Sequence, residues 1–153
     1  MRKEMFLMNI NNFKTEIQEM EHWWHKLIFL CDRNGQFNTT IPITDQFEKV
    51  NTNFILSQGL INIAKNKYPL YVEDIILDTI SNKNKVYLLQ HIDILFDPTL
   101  QIHPIRLLEN ISKTYKLVVE WPGRYEDNQL FYAEYGHPEY FSCREFEGKV
   151  ILK

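Results

Sequence analysis

His25-Lys26-Leu27-Ile28-Phe29-Leu30-Cys31 is a compact apolar run that stops at Asp32-Arg33-Asn34-Gly35, a cluster of turn formers. A run this short and this continuously apolar predicts a buried strand. Lys85-Val86-Tyr87-Leu88-Leu89-Gln90 reads the same way, as does Tyr115-Lys116-Leu117-Val118-Val119-Glu120-Trp121, which Pro122-Gly123 stops. Strands covered by helices on both faces lose the polar alternation of a half-exposed sheet, so these runs predict a mostly parallel sheet. Helical spacing lies between them. Phe13, Ile17 and Met20 set it within 12–21, and Val72, Ile75, Ile76 and Ile80 set it within 71–81. Pro104 suits a first helical turn, where its missing N–H costs nothing, and Ile105, Leu107, Leu108 and Ile111 supply that helix's buried side. Asn51–Leu56 is expected as a second, weaker strand, with Ser57 capping a helix from Gln58 to Asn66. Gln129–Glu134 is expected as one arm of a hairpin and Lys149–Leu152 as a last short strand. The fold class expected is therefore α/β, three layers around a mostly parallel sheet. Function in such sheets collects at the carboxyl ends of the strands, here Asp32–Thr39, Gln90–Asp93 and Glu120–Gly123.

The chain has 153 residues, enough for one sizeable core, and no Gly/Ser/Pro-rich linker divides it, so 1–153 reads as a single domain. Hydrophobic residues at 44% and charged residues at 24% exclude wholesale disorder. Seventeen Lys and Arg against twenty Asp and Glu leave a net charge of −3, which gives no overall attraction for phosphate backbones and disfavours direct DNA binding. No apolar run approaches the roughly 20 residues needed to span a bilayer. The apolar stretch after Arg2 and Lys3 is too short for a signal-peptide core. Cys31 and Cys143 are the only cysteines, so reduced thiols and a cytoplasmic location are expected.

A phosphate-binding loop, Gly-x-x-x-x-Gly-Lys-[Ser/Thr], stands between a strand and a helix. Overlaid on the residues after Cys31, it puts Asp32 at the first glycine, Phe37 at the second, Asn38 at the lysine and Thr39 at the metal-binding hydroxyl, with Gly35 at the place of an extra glycine. On spacing alone the match fails. The stretch then reads as an ordinary loop, Thr39 as a helix cap and Gln90 as the end of a strand.

The rest of the chain changes that reading. Asn51-Thr52-Asn53-Phe54-Ile55-Leu56-Ser57-Gln58-Gly59-Leu60, the block Leu88–Pro98 with its Leu95-Phe96-Asp97-Pro98, Leu107–Ser112, Glu120-Trp121-Pro122-Gly123, and Tyr132–Tyr140 with its Gly136-His137-Pro138-Glu139-Tyr140 follow one another in a distinctive order. Together they resemble the BrxF family, small P-loop proteins of type III BREX phage-defence systems, and the similarity runs from Leu27 to Tyr140. The resemblance implies a P-loop NTPase core of RecA/AAA-like type without a lid domain. It implies that residues 27–31 and 86–90 form parallel strands that are neighbours or one strand apart. It implies partners among the other BREX proteins: a large ATPase, a DNA methyltransferase, a helicase and a phosphatase-like subunit. A homo-oligomer is also allowed. The position of Gln90 is normally Asp in this family, and Asp93 lies where the family often has Glu, with His91 between them.

Set against that family, the departures bear on chemistry. A working loop needs glycines so that backbone amides can wrap the phosphates, a lysine to neutralise them and a hydroxyl for Mg²⁺. Phe37 brings a Cβ and a ring where close backbone approach is required, and Asn38 carries no charge. A carboxylate at Asp32, about 4 Å from a phosphate, costs on the order of 4 kcal/mol at an effective dielectric of about 20, or roughly three decades in affinity. Gln90 is a neutral amide where a carboxylate should hold the magnesium shell. Asp32, Gly35, Phe37, Asn38, Thr39, Gln90, His91 and Asp93 are thus expected to form a vestigial nucleotide site with no catalytic residue. No resident cofactor is expected, and Mg-ATP binds only if the site is still competent. The function expected is a non-catalytic subunit or adaptor. The alternatives are a nucleotide-switched ATPase subunit and, more weakly, a DNA-contacting specificity factor.

Other constellations point to no chemistry. His91, Asp93, Asp97 and His103, and the pair His22 and His25, follow no zinc spacing and are expected as caps or packing, so no metal site is expected. Cys31 ends a buried strand and is expected to pack. The segment 125–147 is dense in aromatics (Tyr125, Phe131, Tyr132, Tyr135, Tyr140, Phe141 and Phe146) among Glu126, Asp127, Glu134, Glu139, Glu145 and Glu147. Nucleic-acid stacking interleaves aromatics with cations, so the sign is wrong for it. Two readings stand: a protein-binding surface of Tyr125, Phe131, Tyr132, Tyr135, His137 and Tyr140, or rings that only cover the sheet edge.

Overall fold

Leu27, Ile28, Phe29, Leu30 and Cys31 are all fully buried, and the strand they form, β2, lies in the middle of a parallel sheet. The computed structural model describes residues 5–7, 10–32 and 47–152. In chain order its elements are β1 (Met5–Leu7), α1 (Ile10–Glu19), β2 (Leu27–Cys31), β3 (Phe47–Asn51), α2 (Thr52–Leu60), α3 (Tyr68–Thr79), β4 (Val86–Gln90), α4 (Pro104–Ser112), β5 (Lys116–Glu120), β6 (Arg124–Glu126), β7 (Gln129–Tyr132), β8 (Phe141–Cys143) and β9 (Lys149–Leu152). Short 3-10 turns cover Met20–His22, Lys65–Lys67, Asp93–Phe96 and Pro98–Leu100.

Six strands pair in parallel in the order β1-β9-β2-β5-β4-β3. One strand, β5, separates β2 from β4, with Ile28 and Leu88 both opposite Val118. Successive side chains of a strand face opposite ways, and the core divides accordingly. Leu27, Phe29, Cys31, Tyr87, Leu89, Leu117 and Val119 pack with Leu56 and Leu60 of α2, Val72 and Ile76 of α3, and Ile105, Leu108 and Ile111 of α4. Ile28, Leu30, Val86, Leu88 and Val118 pack with Phe13 and Ile17 of α1 and with Met20. Helices therefore flank the sheet on both faces, which makes the chain α/β and fits a three-layer arrangement. Among the described residues no helix is long and apolar enough to cross a membrane.

The stretch 51–66 departs from expectation. Asn51 ends β3 instead of opening a strand, and its Oδ1 accepts a hydrogen bond from the Phe54 amide at 3.1 Å. That cap starts α2 at Thr52, so Ser57 lies inside the helix and caps nothing. Thr52, Leu56 and Leu60 are the buried stripe, at the i, i+4, i+8 spacing of a helix. The strand itself lies upstream, and its edge side chain Glu48 pairs with Lys85 at 3.9 Å. The N-terminal strand β1, which no pattern announces, pairs with β9.

The expected hairpin arm belongs to a separate antiparallel sheet, β6-β7-β8. Asp127 and Asn128 join β6 to β7 with positive φ of 51° and 63°, the conformation of a tight two-residue hairpin turn. Trp121, 1% exposed, ties this sheet to the main core: its ring meets Phe29 and Phe96 edge-on, and its Nε1 donates to the Phe131 carbonyl at 2.9 Å. Gly123 allows the approach, since a Cβ there would stand 1.7 Å from that same carbonyl oxygen.

Candidate functional site

Four parallel strands deliver Asp32, Asn51, Gln90 and Glu120 to one carboxyl edge of the sheet. Gly35, Phe37, Asn38 and Thr39 lie outside the described residues, so the site is built here from its other half. Gln90 stands opposite Asn51 in the register, and its side chain turns the other way, toward β5. Its Nε2 donates to both oxygens of Glu120, at 3.0 Å and 3.1 Å, in a half-buried setting. An amide nitrogen so placed presents a donor, and a donor cannot ligate a cation.

The segment after β4 is held by its own backbone. His91 is exposed and takes a positive φ of 53°, and its carbonyl accepts the Asn53 amide at 2.8 Å. Asn53 Oδ1 in turn accepts the Ile94 amide at 2.8 Å. The start of α2 and the end of β4 are thus stapled together by Asn53. Asp93 is tied as well: Tyr132 of β7 donates its hydroxyl to Asp93 Oδ1 at 2.9 Å, while its ring stacks on Phe96 at 3.9 Å. Burial, and then this carboxylate, hold the Tyr132 phenol well above the usual tyrosine range. Asp93 thereby helps to hold the small sheet against the end of β4.

At this edge Gln90 Nε2 is engaged by Glu120 and Asp93 Oδ1 by Tyr132. Among the described residues no group of three or more His, Cys, Asp and Glu gathers as a metal would need. Asp97 caps the Pro98–Leu100 turn through the Thr99 amide at 2.9 Å, and His103 caps α4 by accepting the Arg106 amide on Nδ1 at 3.2 Å. Burial and the Arg106 charge lower the His103 pKa. Burial pushes the Cys31 thiol far above the ordinary range, which leaves it inert at neutral pH.

The aromatic segment divides in two. Tyr132 and Phe141 stack into the cluster around Phe96 and Trp121, Phe146 meets Phe29, and Tyr125 packs against the same core. Phe131 is half-buried beneath the Arg124 guanidinium, 5.0 Å from its centroid. Tyr135 and His137 are exposed, and Tyr140 half-buried, around the β7–β8 connection. Tyr135 is 92% exposed and meets Tyr140 edge-on at 5.6 Å. His137 shapes the turn by accepting the Glu139 amide on Nδ1 at 3.0 Å.

Glu120 stands at one of the strand ends marked in the sequence, but its pairing with Gln90 was not expected. Its signal was its place at the end of a continuously apolar strand, the same signal that singled out Gln90.

The chain matches no protein-family model, no curated protein and no solved structure.

Proposed function

We propose that the protein is a non-catalytic P-loop-type subunit of a BREX phage-defence system, acting as an adaptor through protein contacts. The observation that supports the non-catalytic reading is the Gln90–Glu120 pair: the position that in the resembled family anchors magnesium holds a neutral amide, and its nitrogen is engaged within the sheet. The Tyr132–Asp93 bond adds to it, since it engages the second carboxylate of the expected site. The P-loop reading is supported by the interposition of one strand between β2 and β4. The BREX assignment is carried by the ordered sequence blocks between Leu27 and Tyr140. The partners are then the large ATPase, methyltransferase, helicase or phosphatase-like subunit of the same system.

Affinity purification of the tagged protein from cells expressing the whole operon tests this. Retention of at least one BREX component, equally with and without added Mg-ATP, is expected. Retention of none, or retention only with Mg-ATP, overturns the adaptor reading. A second reading, a nucleotide-switched subunit, is favoured by one observation: Glu120 places a carboxylate on the carboxyl edge, one strand away from the expected position.

A further inference from the structure

Residues 124–147 hold six carboxylates against Arg124 and Arg144, more than the whole excess of negative charge in a chain of net −3. Arg124 is spent within the segment, on Glu126 at 3.0 Å and Glu134 at 2.8 Å. Beside this acidic stretch lies a groove of about 250 Å³ between the Asp97–Pro104 segment and the β7–β8 connection. Its walls are Phe96, Pro98, Ile102, Pro104, Pro138 and Tyr140, and the carboxyl-bearing residues Asp97 and Glu139 also line it. Glu139 has no ion-pair partner among the described residues. At the lip, Tyr135 extends the aromatic surface into solvent through its contact with Tyr140.

An apolar floor calls for an apolar side chain. Unpaired carboxylate beside tyrosine faces calls for a cation, which gains from both the negative charge and the ring quadrupoles. A phosphate backbone would be repelled by the same rim. We propose that this groove docks an extended segment of a partner protein that carries an arginine or lysine next to an apolar residue. The apolar side chain enters between Pro98, Pro104 and Pro138, and the cation lies against Glu139, Asp97 and the Tyr135–Tyr140 pair. This deepens the adaptor reading and rests on it, since it names the chemistry of the partner that the same surface takes.

Selection of a random-peptide display library on the full-length chain is the test. The expected result is enrichment of peptides with Arg or Lys beside an apolar residue. Their affinity should fall by about tenfold on Glu139→Gln and on Tyr135→Ala, and should weaken as salt rises. Both substitutions lie at the surface, and circular dichroism of each variant reports that the fold is intact. The proposal is overturned if no peptide is enriched, if the enriched peptides lack a cation, or if their binding ignores both substitutions. Competition of the peptides by a single-stranded oligonucleotide would overturn it too. If the peptides fail while the tagged protein still retains BREX components without nucleotide, only the groove assignment falls. If both fail, the adaptor reading falls with it.

Discussion

Gln90 and Glu120 end neighbouring parallel strands, and the Gln90 amide nitrogen sits 3.0 Å and 3.1 Å from the two oxygens of the Glu120 carboxylate. A hydrogen bond to an ionised acceptor in a half-buried setting is stronger than a neutral one. The pair therefore ties the carboxyl ends of β4 and β5 together.

Restoring the acid should consequently harm the fold. Gln90→Asp replaces a donor with a second carboxylate beside Glu120. Repulsion at this range, screened by the open side of the edge, together with the lost bond, is expected to cost about 2 kcal/mol. Urea denaturation at pH 7 measures it. Gln90→Asp with Glu120→Gln should recover most of the stability. Any attempt to rebuild a nucleotide site through Asp32→Gly, Phe37→Gly, Asn38→Lys and Gln90→Asp therefore needs Glu120 changed as well.

Tyr132→Phe removes the bond to Asp93 but keeps the stack on Phe96, and is expected to cost about 1 kcal/mol. The native phenol is raised above its unfolded value, so the folded state holds its proton longer as pH rises. Its contribution is whole below about pH 10 and is lost above it. Stability should therefore fall more steeply above that pH in the native chain than in Tyr132→Phe, as thermal melts across the alkaline range would show.

Gly123→Ala puts a methyl carbon within 1.7 Å of the Phe131 carbonyl oxygen, which is backbone and cannot rotate away. The same carbonyl accepts from Trp121. The substitution should cost roughly 3 kcal/mol by displacing β7. Near-ultraviolet circular dichroism of the Trp121 environment should change with it.

Thr52 offers the opposite sign. It is fully buried at the start of α2, and its Oγ1 has no hydrogen-bond partner among the described residues. Thr52→Val keeps the shape and removes a desolvated hydroxyl, so a gain of about 1 kcal/mol is expected in chemical denaturation.

The central sheet was legible because β2, β4 and β5 are covered on both faces and so carry unbroken apolar runs. The start of α2 was hidden because 51–56 reads as a weak strand, with Ser57 offering a later cap. In the fold Asn51 caps the helix, and Asn53 staples it to the Asp93–Phe96 turn. The edge strand β3 has one buried side chain, Val50, too little for a pattern. At the site, Gln90 was found from its place at a strand end. Its partner Glu120 is thirty residues away and becomes a neighbour only through the pairing of β4 with β5. Tyr132 and Asp93 met in the same non-local way. The split of the aromatic segment into a buried and an exposed set followed from which rings faced Trp121, and composition says nothing of that.

Isothermal titration calorimetry of the unaltered chain with Mg-ATP tests the central claim most directly. The account predicts no binding tighter than about 100 μM and no turnover above background. A tighter dissociation constant, or ATP hydrolysis that Thr39→Ala abolishes, would contradict it.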